Sequence, residues 1–272
     1  MVRRSAGAAI QVPQLPEGAL MLAWIARGLR QGPITTRYPR RPERAPAGFR
    51  GRVELSGEAK ALPQHASVCP TGAISASEDG HLALDRGRCI LCGECVRAFP
   101  ELFSFRAAYE TASRSRGALV VGEHAEREVQ RATLAEQARM LRRSIHVRHI
   151  DCGSDGAEEW EIQALWNPYY DIQRLGFFLT SAPRHADVLL VTGAVTGPMR
   201  RPLELTWSVM PEPKALVAVG SEACSGALTA SATAGGVDQV LAVDVYVPGS
   251  PPAPIAIMHG LLLAAGIVGE ST

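Results

Sequence analysis

Cys89-Ile90-Leu91-Cys92-Gly93-Glu94-Cys95, with Cys69-Pro70 twenty residues upstream, is the stretch on which the reading of this chain turns. Three thiolates at i, i+3 and i+6 in a loop can wrap three corners of a cubane, and a fourth followed by proline closes the remaining corner from another turn. The chain is too long and too rich in core-forming segments for a secreted disulfide framework, which belongs to small, loop-rich domains. Metal ligation is therefore the expected use of these cysteines.

In two-cluster bacterial ferredoxins the run is C-x2-C-x2-C-x3-C-P, and the last Cys of each run serves the other cluster. Read in that register, Cys69 belongs with Cys89, Cys92 and Cys95. Counting back from Cys69, the other positions of the first run are His65, Leu62 and Ala59, and the last position of the second run, before Pro100, is Phe99. All four ligands of one cluster are lost together while all four of the other remain. One [4Fe–4S] cluster on Cys69, Cys89, Cys92 and Cys95 is the expectation. The competing reading is zinc on the same four thiolates, but zinc sites favour two C-x2-C pairs over a triplet plus a distant Cys-Pro. His65 is expected at the surface rather than as a stray ligand.

The 272 residues carry a net charge of +1, which calls for neither nucleic acid nor an anionic membrane as partner. The charge is uneven: residues 1–50 hold nine Arg (Arg3, Arg4, Arg27, Arg30, Arg37, Arg40, Arg41, Arg44 and Arg50) against Glu17 and Glu43. Such an end either docks on an acidic partner or is simply solvated. No apolar run reaches the roughly 18–20 residues that span a bilayer; residues 255–268 come nearest and are broken by His259, Gly260 and Gly266. A signal peptide's apolar run and cleavage site are not seen at the N-terminus, so a cytoplasmic location is expected.

Residues 80–88 read as a hairpin strand before the second cysteine run. From 123 to 143, Val129, Leu134, Ala138 and Leu141 recur at helical spacing among Glu, Arg and Gln, predicting a polar helical connector. Apolar β-type runs follow at 145–150, 177–180, 188–192, 215–219 and 240–247, separated by stretches long enough for helices. That pattern predicts an α/β sheet with mainly parallel strands. The expected division is an Arg-rich extension (1–50), a single-cluster domain (51–118), a connector (119–144) and an α/β domain (145–272). His146, His149 and His185 lie in or beside strands and read as hydrogen-bonded structural histidines. Gly220–Gly226 lacks the G-x-G-x-x-G spacing of a dinucleotide site.

Ile34-Thr35-Thr36-Arg37-Tyr38-Pro39, Gly48-Phe49-Arg50-Gly51 and Cys69-Pro70-Thr71-Gly72-Ala73-Ile74 resemble the ferredoxin-like subunits of complex I and of membrane-bound group 4 hydrogenases. The second half resembles the small subunit of group 4 [NiFe] hydrogenases and the homologous 20 kDa subunit of complex I. The matching stretches include Glu159-Trp160-Glu161-Ile162-Gln163-Ala164-Leu165, Asn167-Pro168-Tyr169-Tyr170-Asp171 and Pro183-Arg184-His185-Ala186-Asp187-Val188-Leu189-Leu190-Val191-Thr192-Gly193. The resemblance implies an α+β ferredoxin-like cluster domain followed by an α/β flavodoxin-like domain. It also implies a seat against a hydrogenase large subunit-like or complex I 49 kDa-like partner, among other peripheral-arm and membrane subunits on the inner face of the cell membrane. Arg184, before a buried strand, is a candidate contact to that partner.

Hydrogenase-type members carry G-S-C-x-x-C-E, G-D-C-A and P-G-C-P-P, which together hold a proximal [4Fe–4S] cluster. Here Asp155, Glu158, Glu222 and Ser250 stand at the four thiolate positions, and oxygen ligands are poor substitutes on a soft cluster. The proximal cluster is expected to be absent. Three readings of the vacated pocket stay open: Cys152 and Cys224 rebuild part of a site; Asp155, Glu158 and Glu222 bind a hard cation or share protons; or polar side chains and water fill the space. Two functions follow as expectations. One is an electron-transfer subunit with a single redox centre and no catalytic residue of its own. The alternative is a structural docking subunit whose cluster only staples a small domain.

Overall fold

The structure is a computed structural model that describes residues 17–56, 59–77, 79–122, 144–227 and 235–269. It divides into two compact units, Met1–Thr35 and Thr36–Thr272. In the first, helix α1 (Glu17–Gln31) ends where Gly32, at φ +65°, donates its N–H back to the Gly28 carbonyl at 2.9 Å, the left-handed stop that glycine makes cheaply. Trp24, Ile25 and Leu29 share one side of this helix and are exposed, while Arg27 and Arg30 fall on the other. The arginine count of this end masks a helix that its apolar spacing supports.

The second unit begins with two small antiparallel sheets. Strand β1 (Arg52–Leu55) pairs with β4 (Phe103–Arg106), and β3 (Leu82–Asp85) lies between β2 (Ile74–Ala76) and β5 (Val120–Val121). Val53, Ile74, Leu82, Leu84, Cys95 and Phe103 form most of the buried core between them. Short helix α2 (Pro63–Ser67) precedes Cys69, and α3 (Glu94–Ala98) carries Cys95 in its first turn. The helix expected over 123–143 lies outside the described residues.

The remaining chain builds a five-stranded parallel sheet from β6 (Ile145–Asp151), β7 (Phe177–Leu179), β8 (Val188–Thr192), β9 (Ala215–Val219) and β10 (Val245–Val247). Its spatial order is β10-β9-β8-β6-β7. Numbered within the sheet this is 2-1-3-4-5, the doubly wound order of flavodoxin. The runs β8 and β9 are buried at every position, as strands covered on both faces must be. Helix α7 (Pro254–Ala264), apolar all round, is buried throughout against one face with Val147, Leu190 and Val217. The other face packs Leu189, Val191, Leu216 and Ala218 against Leu203 of α5 (Gly197–Val209). The strand expected at 240–247 starts only at Val245, because Asp244 is a turn residue whose carboxylate accepts the Leu216 N–H at 2.8 Å.

The small sheets and the parallel sheet are fastened together. Ser113 and Tyr246 exchange backbone hydrogen bonds of 2.9 and 2.7 Å along the edge of β10. The Arg114 guanidinium donates to the Leu263 carbonyl at 2.6 Å, and within the small sheets Arg116 makes a two-point ion pair with Asp85 at 2.8 and 2.6 Å. Residues 36–50 also join this unit: Thr36 N–H donates to the Tyr169 carbonyl, Arg174 to the carbonyl of buried Tyr38, and Tyr169 to Glu43.

Candidate functional site

Cys69, Cys89, Cys92 and Cys95 line one small cavity, together with Val53 and Ile74. The loop carrying three of them folds over it through two left-handed positions, Leu91 (φ +57°) and Gly93 (φ +84°). Gly93 is required there, since a side chain would run into the Phe105 ring 3.2 Å away. Arg50 clamps the same loop: its Nη1 donates to the carbonyls of Leu91 (3.2 Å) and Cys92 (3.0 Å), and its guanidinium sits 5.1 Å from the centre of the Phe105 ring. In the sequence Arg50 was one of nine arginines of a charged extension; its partner is the cysteine loop.

The sulfurs receive hydrogen bonds from the backbone. Ala73 N–H donates to Cys69 Sγ at 3.2 Å, with the Thr71 hydroxyl 3.5 Å from the same atom. The Leu91 and Val96 N–H dipoles favour the charged forms of Cys89 and Cys95. Burial pushes the Cys89 thiol up to about 12, and the charges of Cys95, Cys69 and Cys92 add to the effect. The four thiols therefore feel one another, and deprotonating them without a cation between them is costly. Among the described residues, no three His, Cys, Asp or Glu side chains are gathered as ligands of one metal ion.

The positions opposite this set are filled. His65, expected at the surface, is buried at 5% exposure. Its Nδ1 accepts the Leu62 N–H at 3.3 Å, and its ring meets Phe99 edge-on with centroids 4.8 Å apart. Burial follows because the ring packs on Phe99, which itself lies against the small-sheet core.

Asp155, Glu158, Glu222 and Ser250 come from the loops and helix starts that follow the carboxyl ends of β6, β9 and β10. That end of an open parallel sheet, where the strand order reverses between β6 and β8, is where such folds bind ligands. Asp155 is exposed and accepts the Ala157 N–H at 2.9 Å at the start of α4 (Ala157–Ala164). Glu158, in the first turn of α4, is 3% exposed, and Glu222, in α6 (Ser221–Ser225), is 8% exposed. Ser250 is half-buried. The Glu158 carboxyl occupies the space above Gly220, where any Cβ would meet Oε1 at 2.5 Å. Burial pushes Glu158 up to about 7, reinforced by the negative charges of Asp155, Glu222 and Glu159. Glu222 is raised by burial and by Asp155, Asp151 and Glu159. Cys152 and Cys224 are fully buried within the apolar layer of the sheet.

A hydrogen-bonded set that the sequence did not reveal borders this crevice. Asp151 Oδ1 accepts the N–H groups of Gly153 and Ser154 at 2.7 and 2.8 Å, and the Ser154 hydroxyl donates to Glu159 Oε2 at 2.8 Å. Thr192 donates to Glu159 Oε1 in a short hydrogen bond and stands 2.9 Å from His149 Nε2, which lies 3.5 Å from Glu159. Burial lowers the His149 pKa against the pull of Glu159. His146 is the satisfied structural histidine expected, its N–H and ring both facing Asp187, whereas His185 and Arg184 are exposed in a turn before β8. Four members fall between His149 and Glu159, and Thr192 joins them because β6 and β8 are neighbours.

The model of the NADH ubiquinone oxidoreductase 20 kDa subunit family matches residues 155–264. Formate hydrogenlyase subunit 7 of Escherichia coli is 39% identical over 138 residues, 50% of this chain and 54% of that protein. The chain thus spans about half the length of that relative. A probable membrane-bound hydrogenase subunit of Pyrococcus furiosus is 39% identical over 133 residues, 48% of this chain and 80% of that protein. A chain in the structure of an archaeal membrane-bound sulfane sulfur reductase aligns over 48% of this chain and 76% of its own, at 26% identity and a TM-score of 0.41. With a flavodoxin-ordered sheet, the family match over residues 155–264 and the Pyrococcus furiosus relative covered over 80% of its length, the chain belongs to the family of the complex I 20 kDa subunit and the group 4 hydrogenase small subunit.

Proposed function

We propose that this chain is an electron-carrying subunit of a membrane-attached, hydrogenase-like or complex I-like oxidoreductase, and that Cys69, Cys89, Cys92 and Cys95 hold one [4Fe–4S] cluster in a ferredoxin-like module over residues 51–118. The observation that carries this reading is the shared cavity: four thiols from two separate segments line one small space. Their spacing, a C-x2-C-x2-C triplet with a distant Cys-Pro, suits the corners of a cluster better than zinc, which favours two C-x2-C pairs. A bound cluster supplies one-electron transfer. The chain's own residues set its surroundings: the Ala73, Leu91 and Val96 N–H groups stabilise sulfur charge, and Arg50 holds the loop closed. Hydrogen bonds to the sulfurs and burial tune the potential of such a site.

The acidic residues at the proximal positions support a lost second station. A large subunit of the hydrogenase or complex I 49 kDa type is the partner this family membership favours, with attachment to the inner membrane face through other subunits. No helix among the described residues is long and apolar enough to cross a membrane. Cys92→Ser tests the ligand set: the visible charge-transfer absorption of the anaerobically purified protein should be lost, and its persistence overturns the assignment.

One observation favours the structural alternative. The buried core of the two small sheets is confined to a few side chains, so a cluster would also staple the module. Removing the cluster would then unfold residues 51–118 without changing turnover of the assembled complex, whereas an electron carrier would lose turnover with it.

A further inference from the structure

We propose that Glu158 and Glu222 form a proton-binding carboxyl pair in the crevice at the carboxyl ends of β6, β9 and β10, so that this buried acidic site takes up a proton from solvent. Both residues are more than nine-tenths buried. Glu222 Oε2 is buried with no hydrogen-bond partner, an expensive arrangement for an ionised oxygen and an ordinary one for a carboxyl waiting on a proton. The two side chains approach from different elements, Glu158 from α4 and Glu222 from α6, and Glu158 lies directly against Gly220 at the start of α6.

The charges facing the pair are acidic from every side. Glu158 feels Asp155, Glu222 and Glu159; Glu222 feels Asp155, Asp151 and Glu159. The basic group bordering this set is His149, and it is engaged by Thr192 and Glu159. Like charges gathered in a dry space resolve by binding a cation or by holding protons. The buried, unpartnered Glu222 Oε2 favours the proton, which a neutral carboxyl accommodates without a counter-ion. Burial and like charge raise both carboxyls, Glu158 to about 7, which places the exchange of the proton near neutrality. Asp155, which acts on both carboxyls, is itself exposed to water. No electron or bond rearrangement is involved: the proton moves between solvent and a carboxylate oxygen.

The proposal stands apart from the cysteine site, and the experiment separates the two. The full chain, labelled with 13C at the glutamate carboxyls, is titrated by NMR as wild type, Glu158→Gln and Glu222→Gln, with circular dichroism as the control for folding. Two glutamate resonances missing from the respective variants should titrate well above the ordinary carboxylate range in the wild type. Glu222→Gln should lower the proton affinity of Glu158 at least tenfold by removing its acidic neighbour. Ordinary titration of both carboxyls, or a Glu158 midpoint unmoved in Glu222→Gln, overturns the pair. Saturable shifts of these two resonances on adding Mg2+ at neutral pH would also overturn it, in favour of a cation site. Should a Gln variant fail the folding control, Asp155→Asn at the exposed neighbour provides the second arm: it should lower the Glu158 midpoint, and an unchanged midpoint counts against the proposal.

Discussion

The Ser221 hydroxyl donates to the Cys89 carbonyl at 2.8 Å and lies 3.1 Å from the Gly249 carbonyl. One side chain thereby joins the cysteine loop to the loops around the acidic crevice, and Ser221 itself is fully buried. Ser221→Ala should cost about 1 kcal/mol, since the Cys89 carbonyl loses its donor while the Gly249 carbonyl keeps the Ser221 N–H. Urea unfolding measures it, and an unchanged midpoint would show that this contact does not hold the halves together.

Glu158 makes stability depend on pH in an unusual direction. Its folded-state pKa of about 7 lies above the unfolded value of 4.5, so the folded state binds the proton more tightly. Its contribution is fully favourable below pH 4.5, declines as pH rises from there to about 7, and levels off above. A shift of this size corresponds to about 3 kcal/mol. Glu158→Gln should therefore gain stability over wild type as pH rises through this window. A difference that does not change with pH would contradict the buried, uncompensated carboxyl.

Arg50→Met should loosen the cysteine loop by removing two donors to the Leu91 and Cys92 carbonyls. Because the contact is solvent-exposed, about 1 kcal/mol is expected. Faster hydrogen exchange at residues 90–93 is the readout, and unchanged exchange would leave the clamp without energetic weight.

Phe99→Ala removes the ring that His65 packs against. A half-buried aromatic in a small core should cost about 2–3 kcal/mol, and thermal unfolding of the variant checks it. A neutral result would mean that the space opposite the cysteine cavity is not filled by this pair.

How far these features could be read from sequence depends on whether they are local. The strands at 145–150, 188–192 and 215–219 are visible as β-branched apolar runs, because both faces of a parallel sheet must be covered. Helix α1 was hidden by attention to charge in a segment whose Trp24, Ile25 and Leu29 spacing is helical. The burial of His65 depends on Phe99, thirty-four positions away, and no local pattern announces it. Within the Asp151–Ser154–Glu159–Thr192–His149 set, Thr192 reaches Glu159 and His149 only through the β6–β8 pairing. The four cysteines were legible because their spacing is itself the motif; Arg50 was not, because its role lies in two carbonyls forty residues distant.

Restoring thiolates tests the crevice from the other side. The combined Asp155→Cys, Glu158→Cys, Glu222→Cys and Ser250→Cys variant should take up about four further irons per chain, since the sheet that presents these positions is intact. No gain in iron would mean that the surrounding loops no longer present a cluster geometry.

The most direct measurement is iron and acid-labile sulfide per chain in anaerobically purified protein, with EPR of the dithionite-reduced sample. The account predicts about four irons, about four sulfides and a single S = 1/2 signal without magnetic coupling to a second centre. About eight irons with interacting signals would contradict it, showing that the acidic crevice holds a cluster, and stoichiometric zinc without sulfide would overturn the assignment of the four cysteines.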